Sequence, residues 1–125
     1  MFDPRPLVQC VVLRLPPPVS VNAMYRTYVR GGRVASIKSE RYREWVDFAA
    51  SMIADQNPGR IEGHYGLTIK MPKKNRIDLC NAAKCINDAA QAAGIIENDR
   101  LCRRLLVEPG VEDETVCFFI STKGE

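Results

Sequence analysis

Apolar positions along this chain switch between a two-residue and a helical rhythm. Residues 7–15, LVQCVVLRL, are apolar and rich in β-branched side chains, the pattern of a buried strand. The prolines of PPPVSVN end it, because proline cannot donate to a ladder. Residues 25–29 and 33–37 flank Arg30-Gly31-Gly32, and glycine supplies the positive φ that a tight turn needs, so this segment predicts a hairpin. The rhythm then changes. Tyr42, Trp45, Val46, Ala49, Met52 and Ile53 fall on one stripe of a helix expected over residues 40–56. Ser39 is placed to cap it and Glu40 to meet its dipole. Trp45 reads as core rather than as a stacking platform, because it lies on the apolar stripe.

Asn57-Pro58-Gly59 stops that helix, and residues 63–71 alternate as a strand. A second helix is expected over residues 79–93, with Asp78 as N-cap and Gly94 just past its end. Its buried face is Leu79, Ala82, Ala83, Ile86, Ala90 and Ala93, and so many alanines imply close approach to a sheet or to another helix. Strands over residues 101–107 and 115–121 follow, separated by Glu108-Pro109-Gly110. The order β-β-β-α-β-α-β-β predicts an α+β domain on a mainly antiparallel sheet. The 125 residues suit one domain, expected to span 1–125, and need no disulfide staples.

Composition narrows the class. No apolar run approaches the roughly 20 residues that span a bilayer, and the N-terminus MFDPRPLVQ lacks a signal-peptide pattern. The expectation is a cytoplasmic protein with no membrane partner. The five cysteines are dispersed, and none forms the C-x-x-C spacing that zinc sites favour. The only histidine, His64, stands near a strand start and reads as structural. The net charge of +3 matters less than its distribution. Arg26, Arg30, Arg33, Lys38, Arg41 and Arg43 form one basic segment, Lys70, Lys73, Lys74 and Arg76 a second, and Arg100, Arg103 and Arg104 a third. This suggests a polyanion partner, although charge alone fits a solvated face equally well.

The densest chemistry lies in NRIDLCNAAKCINDAAQAAGIIENDR, residues 75–100. At 100° per residue, Cys80, Asn81, Lys84, Asp88 and Gln91 share one helix face, with Asp78 at its open end and Glu97-Asn98-Asp99 past the other. If the flanking strands are neighbours, Asp99 is expected to return beside Asp78, with Lys84 at the edge of the site. Two carboxylates held together need a cation or a shared proton between them. Oxygen ligands open to solvent suit Mg²⁺, and a lysine suits a phosphate. Metal-assisted phosphodiester hydrolysis fits the set. Taken singly, the same residues also read as a cap, an i,i+4 pair and a turn.

A longer pattern unites them. PPVSVNAMYRTYVRGGR, followed by KKNRIDLCNAAKCINDAAQAAGIIEND, resembles the RusA family of Holliday-junction resolvases over most of the chain, from about Pro17 to the last strand. The resemblance implies that Asp78 and Asp99 are catalytic, metal-binding aspartates and that Lys84 is the functional lysine. It implies DNA contacts from Asn22, Arg26, Arg30, Arg33, Lys73, Lys74, Arg76, Asn81 and Lys84. It further implies a homodimer that nicks four-way DNA junctions symmetrically with Mg²⁺, or with Mn²⁺ in its place. Cys80 departs from the pattern, because the family has its second catalytic aspartate there. A thiol is a poor Mg²⁺ ligand, so the chain is expected to be an impaired nuclease or a catalytically silent binder of branched DNA.

Overall fold

The computed structural model describes residues 5–18, 25–30, 33–38, 40–74 and 79–122, with backbone alone at 25–30, 33–38 and 79–81. The elements follow the expected order: β1 (Cys10–Leu15), β2 (Tyr25–Arg30), β3 (Arg33–Lys38), α1 (Glu40–Asp55), β4 (Tyr65–Met71), α2 (Leu79–Ala92), a 3₁₀ turn (Asp99–Leu101), β5 (Cys102–Pro109) and β6 (Thr115–Ser121). β2 and β3 pair as an antiparallel hairpin, and their expected turn, Gly31-Gly32, lies outside the described residues. The other four strands make one sheet in the order β1-β6-β4-β5.

That sheet is mixed. β6 pairs antiparallel with both β1 and β4, while β5 lies parallel to β4. A parallel neighbour requires a crossover, and α2 is that crossover. β4 and β5 are therefore neighbours, as the sequence reading required. Along β4, Tyr65, Leu67, Ile69 and Met71 are buried and alternate with half-buried residues, so one face of the sheet carries the core. Leu13 and Leu15 of β1 and Cys117 and Phe119 of β6 extend that face. Both helices pack over it. α1 contributes Tyr42, Trp45, Ala49 and Ile53, and α2 contributes Ala82, Ala83, Cys85, Ile86, Ala89 and Ala90. Alanines let α2 lie close to both α1 and the strands, and the methyl-lined interface leaves little room for larger side chains. Trp45 is core, its indole N–H donating to the Pro17 carbonyl at 2.8 Å.

Several boundaries move. β1 begins at Cys10 rather than at residue 7; Leu7 makes only an isolated bridge to Arg60 and is half exposed. β5 runs to Pro109, two residues further than expected, because its parallel register with β4 continues to Met71. Asp99 lies just ahead of that strand. It opens the 3₁₀ turn, where the Asn98 side chain accepts from the Arg100 N–H at 2.9 Å. The expected cap Ser39 lies outside the described residues.

α2 ends at Ala92 in a Schellman arrangement. Gly94 has φ 79°, its N–H donates to Gln91, and the Ile95 N–H reaches back to Ala90. This turn directs the chain toward Asp99. Gly94→Ala places a Cβ in the left-handed region, which costs roughly 1–2 kcal/mol. Urea unfolding followed by circular dichroism is expected to show that loss without a change in secondary structure, and an unchanged midpoint would contradict this account of the α2 end.

Candidate active site

The polar face of α2 is organised by one buried group from the other helix. The Tyr42 side chain is enclosed in the core, and its hydroxyl donates to Asp88 on α2. A tyrosine can occupy a core only if its hydroxyl finds a partner, and here the partner is a carboxylate. Asp88 in turn holds the Lys84 ammonium at 3.1 Å, one helical turn earlier. The Asp88 side chain is 14% exposed and that of Lys84 40%. The carboxylate is therefore largely withdrawn from solvent, while the ammonium stands at the surface. A lysine preceding its acid is the weaker orientation for an i,i+4 helix pair, so this contact relies on Tyr42 to fix Asp88.

The C-terminal end of α2 reaches Asp99. The Asp99 N–H donates to the side-chain oxygen of Gln91 at 3.2 Å, which ties the 3₁₀ turn to the helix and places Asp99 on the helix-bearing side of the sheet. Nearby, the buried Tyr65 hydroxyl donates to Asn87. Burial, and then the neighbouring Cys102 and Asp99 groups, push the Tyr65 pKa well up, so it remains a neutral donor. Burial also raises Cys102, next to the same turn. Glu97, in the acidic cluster, accepts from the Gly63 N–H at 2.9 Å, closing the turn before β4, where Gly63 has φ 77°.

Of the expected site residues, Lys84 and Asp99 are described with their side chains. Lys73 and Lys74 are exposed in the turn after β4. Asp78, Arg76 and Asn22 lie outside the described residues. For Arg26, Arg30 and Arg33 on the hairpin, and for Cys80 and Asn81 in the first turn of α2, the strand and helix assignments hold but their side chains are not described. Asp88 and Glu97, the two acids able in principle to replace a carboxylate at position 80, are both engaged in contacts that hold the fold.

The spacing along α2 bears on the expected meeting of Asp78 and Asp99. Leu79 opens the helix and Gln91, which holds Asp99, lies twelve residues on, a separation of about 18 Å along the axis. The crossover sets Asp99 at the C-terminal end of α2, and Asp78 lies outside the described residues. Among the described residues, no three histidine, cysteine, aspartate or glutamate side chains cluster to hold a metal. No helix among the described residues is long and apolar enough to cross a membrane.

Sequence reasoning missed Tyr42 and Gln91. Tyr42 appeared only as an apolar stripe position, although a buried tyrosine always raises the question of its hydroxyl partner. Gln91 was placed on the correct face but given no role, because its contact depends on how the chain returns after Gly94.

The model of the family described as endodeoxyribonuclease RusA matches residues 15–118. No curated protein matches the chain closely enough to count as a relative.

Tyr42→Phe removes the hydroxyl and leaves the mostly buried Asp88 carboxylate short of a donor. A hydrogen bond to a charged group contributes about 1.5–3 kcal/mol, so stability is expected to fall by that order. Urea unfolding of Tyr42→Phe beside Asp88→Asn checks it: the double variant is expected to be less destabilised than the sum of the singles, and strict additivity would show that the two do not interact.

Proposed function

This chain belongs to the RusA family of endodeoxyribonucleases and is a Holliday-junction resolvase by that membership; from this premise we propose how its residues serve the reaction. The observation that carries the proposal is the family match across residues 15–118, read together with an exposed Lys84 clamped by Asp88 and an Asp99 fixed to the end of α2.

The reading is of a single nuclease domain over residues 1–125 that acts as a homodimer on four-way DNA in the cytoplasm. Family membership implies a divalent cation, Mg²⁺ or Mn²⁺, for which Asp78 and Asp99 are the carboxylate ligands in this proposal. Bound metal supplies Lewis-acid stabilisation of the phosphoryl oxygens. The chain's own groups do the rest. Lys84, oriented by Asp88, presents a fixed positive charge to the scissile phosphate or to the departing oxygen, and no reorganisation is needed when charge develops there. Lys73, Lys74 and Arg76, on the approach to α2, take flanking phosphates, as do Asn22, Arg26, Arg30 and Arg33 of the hairpin segment and Asn81 of α2. These contacts position the duplex arms without reading base sequence.

Cys80 weakens this site. With a thiol where the family has an aspartate, the local negative charge is one unit lower, and Asp88 and Glu97 are committed to other contacts. That specific departure favours a second reading, a branched-DNA-binding protein of the same fold that does not cut.

Nicking of a labelled four-way junction tests both. Cys80→Asp is expected to cut at least tenfold faster than the unsubstituted chain in Mg²⁺, and Mn²⁺, which accepts softer ligands, is expected to narrow the gap. Equal rates in Mg²⁺ would remove position 80 from the site. Binding without cutting by both proteins in either metal would establish the silent binder.

Junction affinity without metal is expected to fall steeply between 50 and 200 mM salt, as counterion release at several phosphates requires. Salt-independent binding would rule out the proposed phosphate contacts.

A further inference from the structure

Residues 5–8 lie ahead of the stretch that the family model matches, residues 15–118, yet they are bonded tightly to the fold. The Arg60 N–H donates to the Pro6 carbonyl, and the Val8 N–H donates to the Arg60 carbonyl, both at 2.9 Å. Leu7 and Arg60 thereby form a parallel bridge. The Arg60 side chain adds a bond from Nε to the Arg5 carbonyl at 3.3 Å. Gly59 makes this approach possible. A Cβ there would collide with the Val8 side chain and stand 2.7 Å from the Pro6 carbonyl oxygen. The φ of Gly59 is outside the left-handed region, so glycine supplies space here rather than backbone freedom.

The near end of this strap reaches α2. Arg5 Nη1 donates to the Ala93 carbonyl, just past the helix, at 2.5 Å, and Nη2 lies over Gly94 where any side chain would meet it. The last turn of α2 carries no basic residue. A cation is favourable at that end because it meets the negative pole of the helix dipole, and Arg5 brings one from a distant part of the chain.

The strap therefore acts on one segment from two directions. Residues 93–99 carry the chain from α2 to Asp99. On the inner side, the Gly94 and Ile95 N–H groups donate to α2, and Ile95 and Ile96 are buried. On the outer side, the Ile61 N–H donates to the Ile95 carbonyl at 2.8 Å, and the strap holds the adjoining Arg60. Arg5 holds Ala93, where the segment begins. The bond from the Asp99 N–H to Gln91 is exposed and, at 3.2 Å, at the long end of the usual range, so it is a weak tie alone. We propose that Arg5 is a positioning residue for Asp99: with the strap behind it, Arg5 holds the 93–99 return rigid, so that the Asp99 carboxylate keeps one place beside the end of α2. The effect on the return stands by itself, and the effect on cutting rests on the nuclease reading above. A misplacement of about 1 Å in a reacting constellation can cost on the order of 100-fold in rate, which gives such a remote contact leverage. Of the strap's side chains, that of Val8 packs against the core, so Arg5 can be changed without disturbing the core.

Amide hydrogen exchange in the metal-free protein reads the first part. Arg5→Ala is expected to speed exchange at Ile95 and at Leu101, whose N–H closes the turn at Asp99, by roughly tenfold, the size of a lost charge-assisted hydrogen bond. The amides of the β4–β6 ladder are expected to be unchanged. Gly59→Ala, which displaces the strap from its other side, is expected to speed the same two amides. Arg5→Lys, which keeps the charge, is expected to restore most of the protection. Junction nicking in Mn²⁺, in the Cys80→Asp background, reads the second part: Arg5→Ala is expected to lower kcat roughly tenfold while junction affinity without metal is unchanged. Unaltered exchange at Ile95 and Leu101, or equal acceleration throughout the β4–β6 ladder, overturns the strap, the latter because it marks a loss of general stability. Faster local exchange with kcat intact overturns the positioning of Asp99. A fall in junction affinity with kcat intact makes Arg5 a phosphate contact and overturns it too. If Cys80→Asp with Arg5 intact never nicks, the nuclease reading is what fails, and the exchange result still decides the strap.

Discussion

The parallel pairing of β4 with β5 is the constraint on which the rest of this structure depends. It obliges α2 to run the length of the sheet between them, and it decides which chemistry stands at each end of that helix. The alanine face of α2 makes the crossover compact, and the Tyr42–Asp88–Lys84 connection locks it against α1. Core and candidate site therefore share a physical cause. The methyl groups that let the helices approach also bring a buried hydroxyl within reach of the carboxylate that orients the site lysine.

Much of this was legible in the sequence. The helical stripe from Tyr42 to Ile53, the alternation ending at Met71 and the terminator Gly94 each rest on local geometry, and each stands where it was expected. The family pattern was equally plain, because its residues keep a fixed order across a strand, a helix and a return. What could not be read was set by tertiary contact. The 3₁₀ turn at Asp99 depends on capping by Asn98 and on the reach of Gln91, neither of which has a signature in hydropathy. The extension of β5 to Pro109 follows from the length of its neighbour rather than from its own composition.

The reading of two aspartates meeting beside one helix set a condition on the sheet. Neighbouring strands were the right condition, and it is met. But strands joined by a parallel crossover bring the start of the second beside the start of the first, whereas the helix between them begins at the far end. Asp99 is thereby returned to the C-terminal end of α2, beside Gln91.

A crystal structure of the protein with a four-way junction and Mn²⁺, with the ion located by its anomalous scattering, tests the central claim most directly. The account predicts manganese ligated by Asp78 and Asp99, beside a phosphate that Lys84 approaches. Manganese bound away from Asp99, or a junction phosphate held far from Lys84, would contradict it.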